Sequence, residues 1–508
     1  MTSETPPQSS NTFRRIVLIA ITLLVTVIMG QALVSSWNEP QVANRLELYQ
    51  TDLLLQATDW VGEDLPPEQV TLIRRNLLGD DPLGSAQDSY SKVRETALAL
   101  LNEQEEESSA AIPSHRRQTT YEQQAELLDL IDLRLGILQG AQGETAAAVA
   151  SWQQVQERNA RGSDLWRTAV TLETLWQGQA VPTDDDTLLS DGLRGWFRAQ
   201  ALAKFYEETD QPQARADLQA QTQAQATTTV LVLGIVGAFP AVGCLLGVGV
   251  LLFVGGQRLL KGKEAWLARN SSTPWEVPWT AETIWQVVVA GFFFLGQVVV
   301  PLVVSPLGSG LASLGIRGRA TYALLYYVLM AIGAIAVLGV SIRRYRPLPQ
   351  GWFQFQLKGS WLLWGVGGYL AALPLMLSIS LLNQQLWRGQ GGSNPLLQTV
   401  LEAHDPVALG LFFVTAAIAA PLFEEFLFRG FLLPSLTRYM PVGGAIWLSS
   451  FIFAAAHLSL SEILPLMVLG MVLGLVYTRS RNLLAPMVLH SAWNSVTMIG
   501  LFLLGSAA

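Results

Sequence analysis

The stretch PVALGLFFVTAAIAAPLFEEFLFRG, residues 406–430, decides how this chain is read. From 406 to 428 it is apolar enough and long enough to cross a bilayer. Yet it carries Glu424 and Glu425, and Arg429 follows at its end. Ionisable groups at membrane depth are costly, so each is a functional candidate. Outward from this run the same apolar pattern recurs at about 229–255, 283–305, 321–341, 360–382, 443–460, 463–478 and 483–504. With a further run from Ile16 to Val34, the expectation is an all-α, polytopic membrane protein of about nine transmembrane helices.

Half of the 508 residues are hydrophobic, but polarity is unevenly spread. Of the 40 acidic residues, 31 lie between Trp37 and Gln225. Three regions follow: a tail and membrane anchor at 1–37, an acidic helical domain at 38–225, and a polytopic membrane domain at 226–508. The net charge of −8 argues against nucleic-acid binding, which needs basic surface. The single cysteine, Cys244, sits in an apolar run and reads as a packing residue. Alone it can form neither an internal disulfide nor a cysteine metal cluster.

Residues 1–12 are polar and are expected to be disordered, and Arg14 and Arg15 precede the first apolar run. That run is long for a signal peptide and has no evident A-x-A cleavage site, so it reads as an uncleaved anchor. In the acidic domain, Tyr121–Glu157 has helical periodicity. Leu135, Gly136, Gly143, Ala148 and Trp152 lie close to tetratricopeptide spacing, in which small residues let two helices approach and an aromatic fills the gap. One such unit is not an array, and a generic helical bundle is the competing reading. Residues 211–229 read as a linker or a helical lead-in to the next span.

The spans leave thirteen Lys and Arg residues in short loops on one side. On the other are three, Arg317, Arg319 and Arg388. Positive residues favour the cytoplasm. The expected topology has a cytoplasmic N-terminus and an extracytoplasmic 38–225, in a bacterial plasma membrane.

Few ionisable residues interrupt the apolar runs. Besides Glu424, Glu425 and Arg429 they include His457, in Phe453-Ala-Ala-Ala-His457, and His490, in His490-Ser-Ala-Trp-Asn494. The other two histidines, His115 and His404, lie in polar stretches and read as solvated. On a helix, Glu425 and Arg429 share a face and can pair. Glu424 is turned about 100° away and keeps its charge for other work. His490 and Asn494 share a face, as do Phe453 and His457. A buried Glu/Arg pair can simply join helices, and a lone histidine is more often packing than catalyst. One free carboxylate, two imidazoles and an amide on three successive segments are harder to set aside. They are the parts needed to activate a water and stabilise an oxyanion.

The succession Glu424-Glu425-x-x-x-Arg429, Phe453-x-x-x-His457 and His490-x-x-x-Asn494 resembles the three-motif signature of the CAAX protease and bacteriocin-processing family of intramembrane proteases. The resemblance covers about 400–500 and leaves 1–225 outside. It implies a helical membrane fold whose polar residues face an interior cavity, and an endopeptidase acting on membrane-associated or CAAX-like substrates. The implied catalytic residues are Glu424, His457, His490 and Asn494. Glu425, Arg429 and Phe453 are structural or substrate-holding.

The family has been called metalloproteases. If zinc takes part, Glu424, His457 and His490 are the candidate ligands. The sequence lacks His-Glu-x-x-His, and a metal-free mechanism in which Glu424 and His457 activate water fits equally well. Competing functions are a non-catalytic scaffold or bacteriocin immunity protein, and a transporter using the same charges as an ion path. The spans show no clear inverted repeat for the latter. Expected partners are a membrane protein or peptide substrate, the bilayer, and a protein bound by the external domain. That domain shows no cluster that reads as catalytic.

Overall fold

The structure, a computed structural model, describes residues 9–37, 42–63, 65–108, 115–182, 185–387, 391–392, 395–403 and 405–507. Residues 1–8, Arg388 and His404, with the expectations made for them, lie outside these, as does the side chain of His115, whereas Ser9–Thr12, expected to be disordered, begin a helix. The described residues form helices and no strand.

The N-terminal helix is α1 (Ser9–Ser36). The polar region folds as α2 (Val42–Ala57), α3 (Pro67–Leu78), α4 (Pro82–Ser108), α5 (His115–Ala141), α6 (Thr145–Arg158), α7 (Asp164–Trp176), α8 (Asp185–Gly192) and α9 (Gly195–Glu208). Helix α10 (Pro212–Lys261) then runs without a break into the next apolar stretch, so 212–229 is a helical lead-in. Then come α11 (Ala281–Gly308), α12 (Gly315–Ile342), α13 (Trp361–Trp387), α14 (Pro395–Glu402), α15 (Pro406–Leu436), α16 (Val442–Ala455), α17 (Leu460–Ser480) and α18 (Leu484–Ala507). Contacts divide the chain into two units. One is Ala43–Gly237 with Leu503–Ala508; the other is Met1–Val42 with Ala238–Phe502. The division falls inside α10, later than the composition change near 225.

In the helical unit, α5 and α6 pack as a hairpin. A side chain at Gly136 would come within 2.4 Å of Trp152 Nε1, so only glycine lets the indole lie flat against α5. Trp152 is fully buried and donates from Nε1 to the Leu133 carbonyl at 3.1 Å. Gly140 takes Trp176 of α7 in the same way. Interior charges here are matched. Asp132 accepts from Arg94 at 2.5 Å and from Arg158 at 2.6 Å. Asp52 accepts from Tyr90 at 2.5 Å and from Arg134 at 2.7 Å. Burial still holds the Asp52 carboxyl above its ordinary value, against the opposing pull of Arg134 and Tyr90.

In the other unit, eight helices among the described residues, counting α1 and α10, are long and apolar enough to cross a membrane. The chain is an integral membrane protein. The run expected to span at 443–460 is a shorter helix, α16, of 14 residues. At 1.5 Å per residue it is about 21 Å long, less than a hydrocarbon core of about 30 Å. Its partner α17 approaches closely. A Cβ at Gly470 would lie 2.9 Å from that of Ser450, and one at Gly474 would lie 3.0 Å from Ile446. Small residues four apart are how membrane helices come together.

The two ends of this unit differ. At one, Trp275, Trp279 and Trp352 are buried, and each indole N–H donates to Gly351, Ser435 or Glu276 in turn. Arg438 and Arg481 lie at the same end, donating to the carbonyls of Trp279 and Thr273. At the other end, the Gly391 amide donates to the Trp37 carbonyl and the Leu460 amide to Ser36 Oγ, both at 3.2 Å. Helix α1 is tied to α11 by Trp285 Nε1 donating to Thr22 at 2.8 Å, and by Arg14 and Arg15 on Glu282.

Candidate active site

Helix α15 starts where the sequence sets its cap. Asp405 accepts from the amides of Val407 and Ala408, and Pro406 occupies the first helical position. Two stretches of this helix, Val414–Ala419 and Glu425–Leu432, are wound with wider π turns. Such turns are frequent at functional sites.

Glu425 and Arg429 pair as their spacing requires, with Nη1 donating to Oε1 at 2.9 Å. Glu425 is 0% exposed and Arg429 1%. Arg429 Nη2 donates to the Gly470 carbonyl at 3.1 Å, and its guanidinium carbon lies 4.5 Å from the Phe453 ring centroid. One cation thus joins α15, α16 and α17. Phe453 packs edge-on against Phe428, His457 and His490 as well, with centroids 5.3, 5.1 and 5.9 Å away.

His490, on α18, brings its Nδ1 to 2.8 Å from the same Glu425 oxygen that Arg429 holds. With Glu425 ionised beside Arg429, Nδ1 is the donor. Its Nε2 is 3.9 Å from Glu424 Oε2. His457 Nδ1 lies 2.9 Å from the Phe453 carbonyl, which can only accept. Both imidazoles therefore commit Nδ1 to the protein and leave Nε2 for other use. Asn494 donates one amide hydrogen to the Ala416 carbonyl at 2.8 Å and has a second to give.

Glu424 is on the open side of this group, and its side chain is 15% exposed. It accepts from the Tyr327 hydroxyl at 2.9 Å. Sequence reasoning assigned Glu424 no partner and missed Tyr327. The available signal was a tyrosine pair, Tyr326-Tyr327, inside an expected span. Glu424, Phe453, His457, His490 and Asn494 all line one cavity of about 460 Å³. It extends past Met376 and Leu469 to Leu396, Leu397 and Glu462, toward the end where Trp37 meets Gly391. Gln297 and Glu462 are further polar lining residues that the sequence reading did not select.

A carboxylate and two imidazole nitrogens that face one cavity, next to a spare amide hydrogen, suit acid–base hydrolysis.

The fit to zinc is poor. Among the described residues no three His, Cys, Asp or Glu side chains come together in a way that could hold a metal ion, and Glu424, His457 and His490 are no exception.

The family model described as type II CAAX prenyl endopeptidase Rce1-like matches residues 406–496, from the first residue of α15 past Asn494. The C-terminal region of this chain is an Rce1-like domain of the CAAX protease family. Among curated relatives, the membrane-embedded CAAX protease MroQ of Staphylococcus aureus (strain USA300) is 24% identical over 178 residues, 34% of this chain and 71% of that protein. The putative membrane peptidase YdiL of Bacillus subtilis (strain 168) is 25% identical over 171 residues, 33% of this chain and 69% of that one. No solved structure matches. All seven residues of the three motifs lie within the matched stretch, which supports a membrane protease of this family.

Proposed function

We propose that the chain is an intramembrane endopeptidase in which Glu424 is the general base toward a water held in the cavity. The water oxygen attacks the scissile carbonyl carbon while its proton passes to Glu424. His490 Nε2–H and the second Asn494 amide hydrogen donate to the oxygen that becomes negative. Glu424 then returns the proton to the leaving amine as the C–N bond breaks. His457 Nε2 accepts the remaining hydrogen of the water and orients it. Glu425, Arg429 and Phe453 hold His490 in place, and Tyr327 fixes the Glu424 carboxylate. The observation that carries this reading is the Glu425–His490–Glu424 succession, at 2.8 and 3.9 Å, on the wall of a cavity within an Rce1-like domain.

Substrates are membrane proteins or peptides, CAAX-like ends among them, since the cavity is largely apolar and within the membrane unit. The charge bias supports a cytoplasmic N-terminus and an extracytoplasmic 38–225, in a bacterial plasma membrane. Protease added to intact spheroplasts should then degrade that domain. Degradation only in inverted vesicles would reverse the assignment. The external domain recruits a protein or peptide and takes no part in the chemistry. The central test compares membrane peptides in cells carrying wild type and Glu424→Ala. Uncleaved precursors should accumulate in the variant. Identical profiles in the two strains would remove Glu424 from catalysis.

A further inference from the structure

The helical unit contains a second cavity, of about 570 Å³, that neither the family match nor the proposed reaction uses. Its wall comes from α2 (Gln56), the end of α8 and start of α9 (Ser190, Arg194, Arg198), and α10 (Thr228, Thr229). The arginines set it apart. Elsewhere in this unit the interior arginines are neutralised: Arg134 by Asp52, Arg94 and Arg158 by Asp132. Half-buried Arg198, and Arg194 at the exposed rim, have no carboxylate within ion-pair distance among the described residues, and Arg198 Nε is buried with no hydrogen-bond partner. One is at the N-cap and one at the start of α9, and both line the same space. The α9 N-terminus receives no side-chain cap, which leaves its amides facing the same end. Asp191 at the wall contributes one negative charge, so the lining is net positive within an acidic domain.

Position says what fills it. Thr229 donates to Gln56 at 3.1 Å, and Gln56 donates to Gln225 at 3.4 Å, which fastens this stretch of α10 to the cavity wall. The next residues, Val230-Leu231-Val232-Leu233, open the apolar run of α10. The cavity therefore lies where the helix passes from polar to membrane-compatible sequence. We propose that it binds the phosphodiester headgroup of a membrane phospholipid. Arg194 and Arg198 hold the phosphate oxygens, and the hydroxyls of Ser190, Thr228 and Thr229 serve the polar remainder.

The test uses delipidated full-length protein in non-ionic detergent, titrated with dioctanoyl phosphatidylglycerol, inorganic phosphate, or a peptide with a free C-terminal carboxylate. The phospholipid should bind, and Arg198→Gln should weaken that binding at least about tenfold. Arg198→Lys should weaken it less, and the melting midpoint without lipid should stay unchanged. If Arg198→Gln does not fold, Arg194→Gln, at an exposed position, carries the same comparison. Phospholipid binding untouched in both glutamine variants would overturn the site. Phosphate binding as tightly as the phospholipid would keep the anion chemistry but overturn the lipid. Arginine-dependent binding of the peptide alone would overturn the phosphodiester.

Discussion

The helical unit and the membrane unit both bury carboxylates, but they satisfy them differently. In the helical unit Asp132 is 0% exposed and accepts from two arginines. Asp129 and Asp132 together hold Arg158 above its ordinary value in spite of its burial. These groups are saturated, and they join α4, α5 and α6. In the membrane unit Glu425 is equally buried, but one of its oxygens serves both Arg429 and His490, while Oε2 has no partner among the described residues. Among the described residues Glu424 beside it has the Tyr327 hydroxyl at hydrogen-bond distance, and its imidazole neighbour is farther off. A saturated carboxylate stabilises structure; an under-satisfied one, next to a cavity, is available for chemistry.

That contrast is broken most directly at Glu424. Glu424→Gln keeps size and hydrogen bonding but removes the base. Activity per folded molecule of the purified protein should fall about 10²–10⁴-fold with the melting midpoint unchanged. Retention of most activity would end the assignment.

Glu425→Gln should act on both properties. Breaking a buried pair costs about 3–5 kcal/mol, so yield and thermal midpoint should drop. Because Glu425 also holds His490 through Nδ1, the imidazole loses its anchor and activity per folded molecule falls as well. A variant that melts like wild type but is dead would exchange the roles of the two glutamates.

Asp132→Asn sharpens the comparison from the other side. Arg94 and Arg158 are 23% and 30% exposed and can return to water, so the cost should be the smaller one of charged hydrogen bonds, about 1.5–3 kcal/mol. It should appear in a denaturant melt of the helical unit and leave peptide cleavage unchanged. Lost cleavage at normal folding would give that unit a part in the chemistry.

A weaker effect is expected at Asp405, outside the spans. The Ala408 amide, and after it Arg317, hold its carboxyl below the ordinary value. A depressed folded value means stabilisation that is complete above the unfolded value of about 4 and is lost as pH falls through the lower folded one. Asp405→Asn should therefore flatten the melting profile below about pH 4, which a pH series of melts would register. An unaltered acid limb would count against the cap as a source of stability.

The smallest expected effect belongs to chelation. If Glu424 activates water without a metal, purified protein should contain well under one equivalent of zinc, and activity should survive removal of metal in reconstituted membranes. Stoichiometric zinc, with activity lost on removal and restored on return, would replace the proposed roles.

The sequence by itself determined the features that depend on neighbours along one helix. Apolar length marked the spans, the four-residue interval paired Glu425 with Arg429, and the glycine–tryptophan spacing of Gly136 and Trp152 marked the α5–α6 hairpin. The same local logic separated Glu424 from Glu425. Tertiary structure decided everything that depends on where helices cross. It brought Tyr327 of α12 to Glu424, put His490 on the oxygen that Arg429 already held, and placed the Gly470 carbonyl over the guanidinium. It also shortened α16 and gathered Arg194, Arg198 and Thr229 around one cavity. A helix repeats every 3.6 residues whatever surrounds it, so its faces can be read from the chain. Which face meets which partner is settled by packing among many side chains at once, and no interval along the chain encodes it.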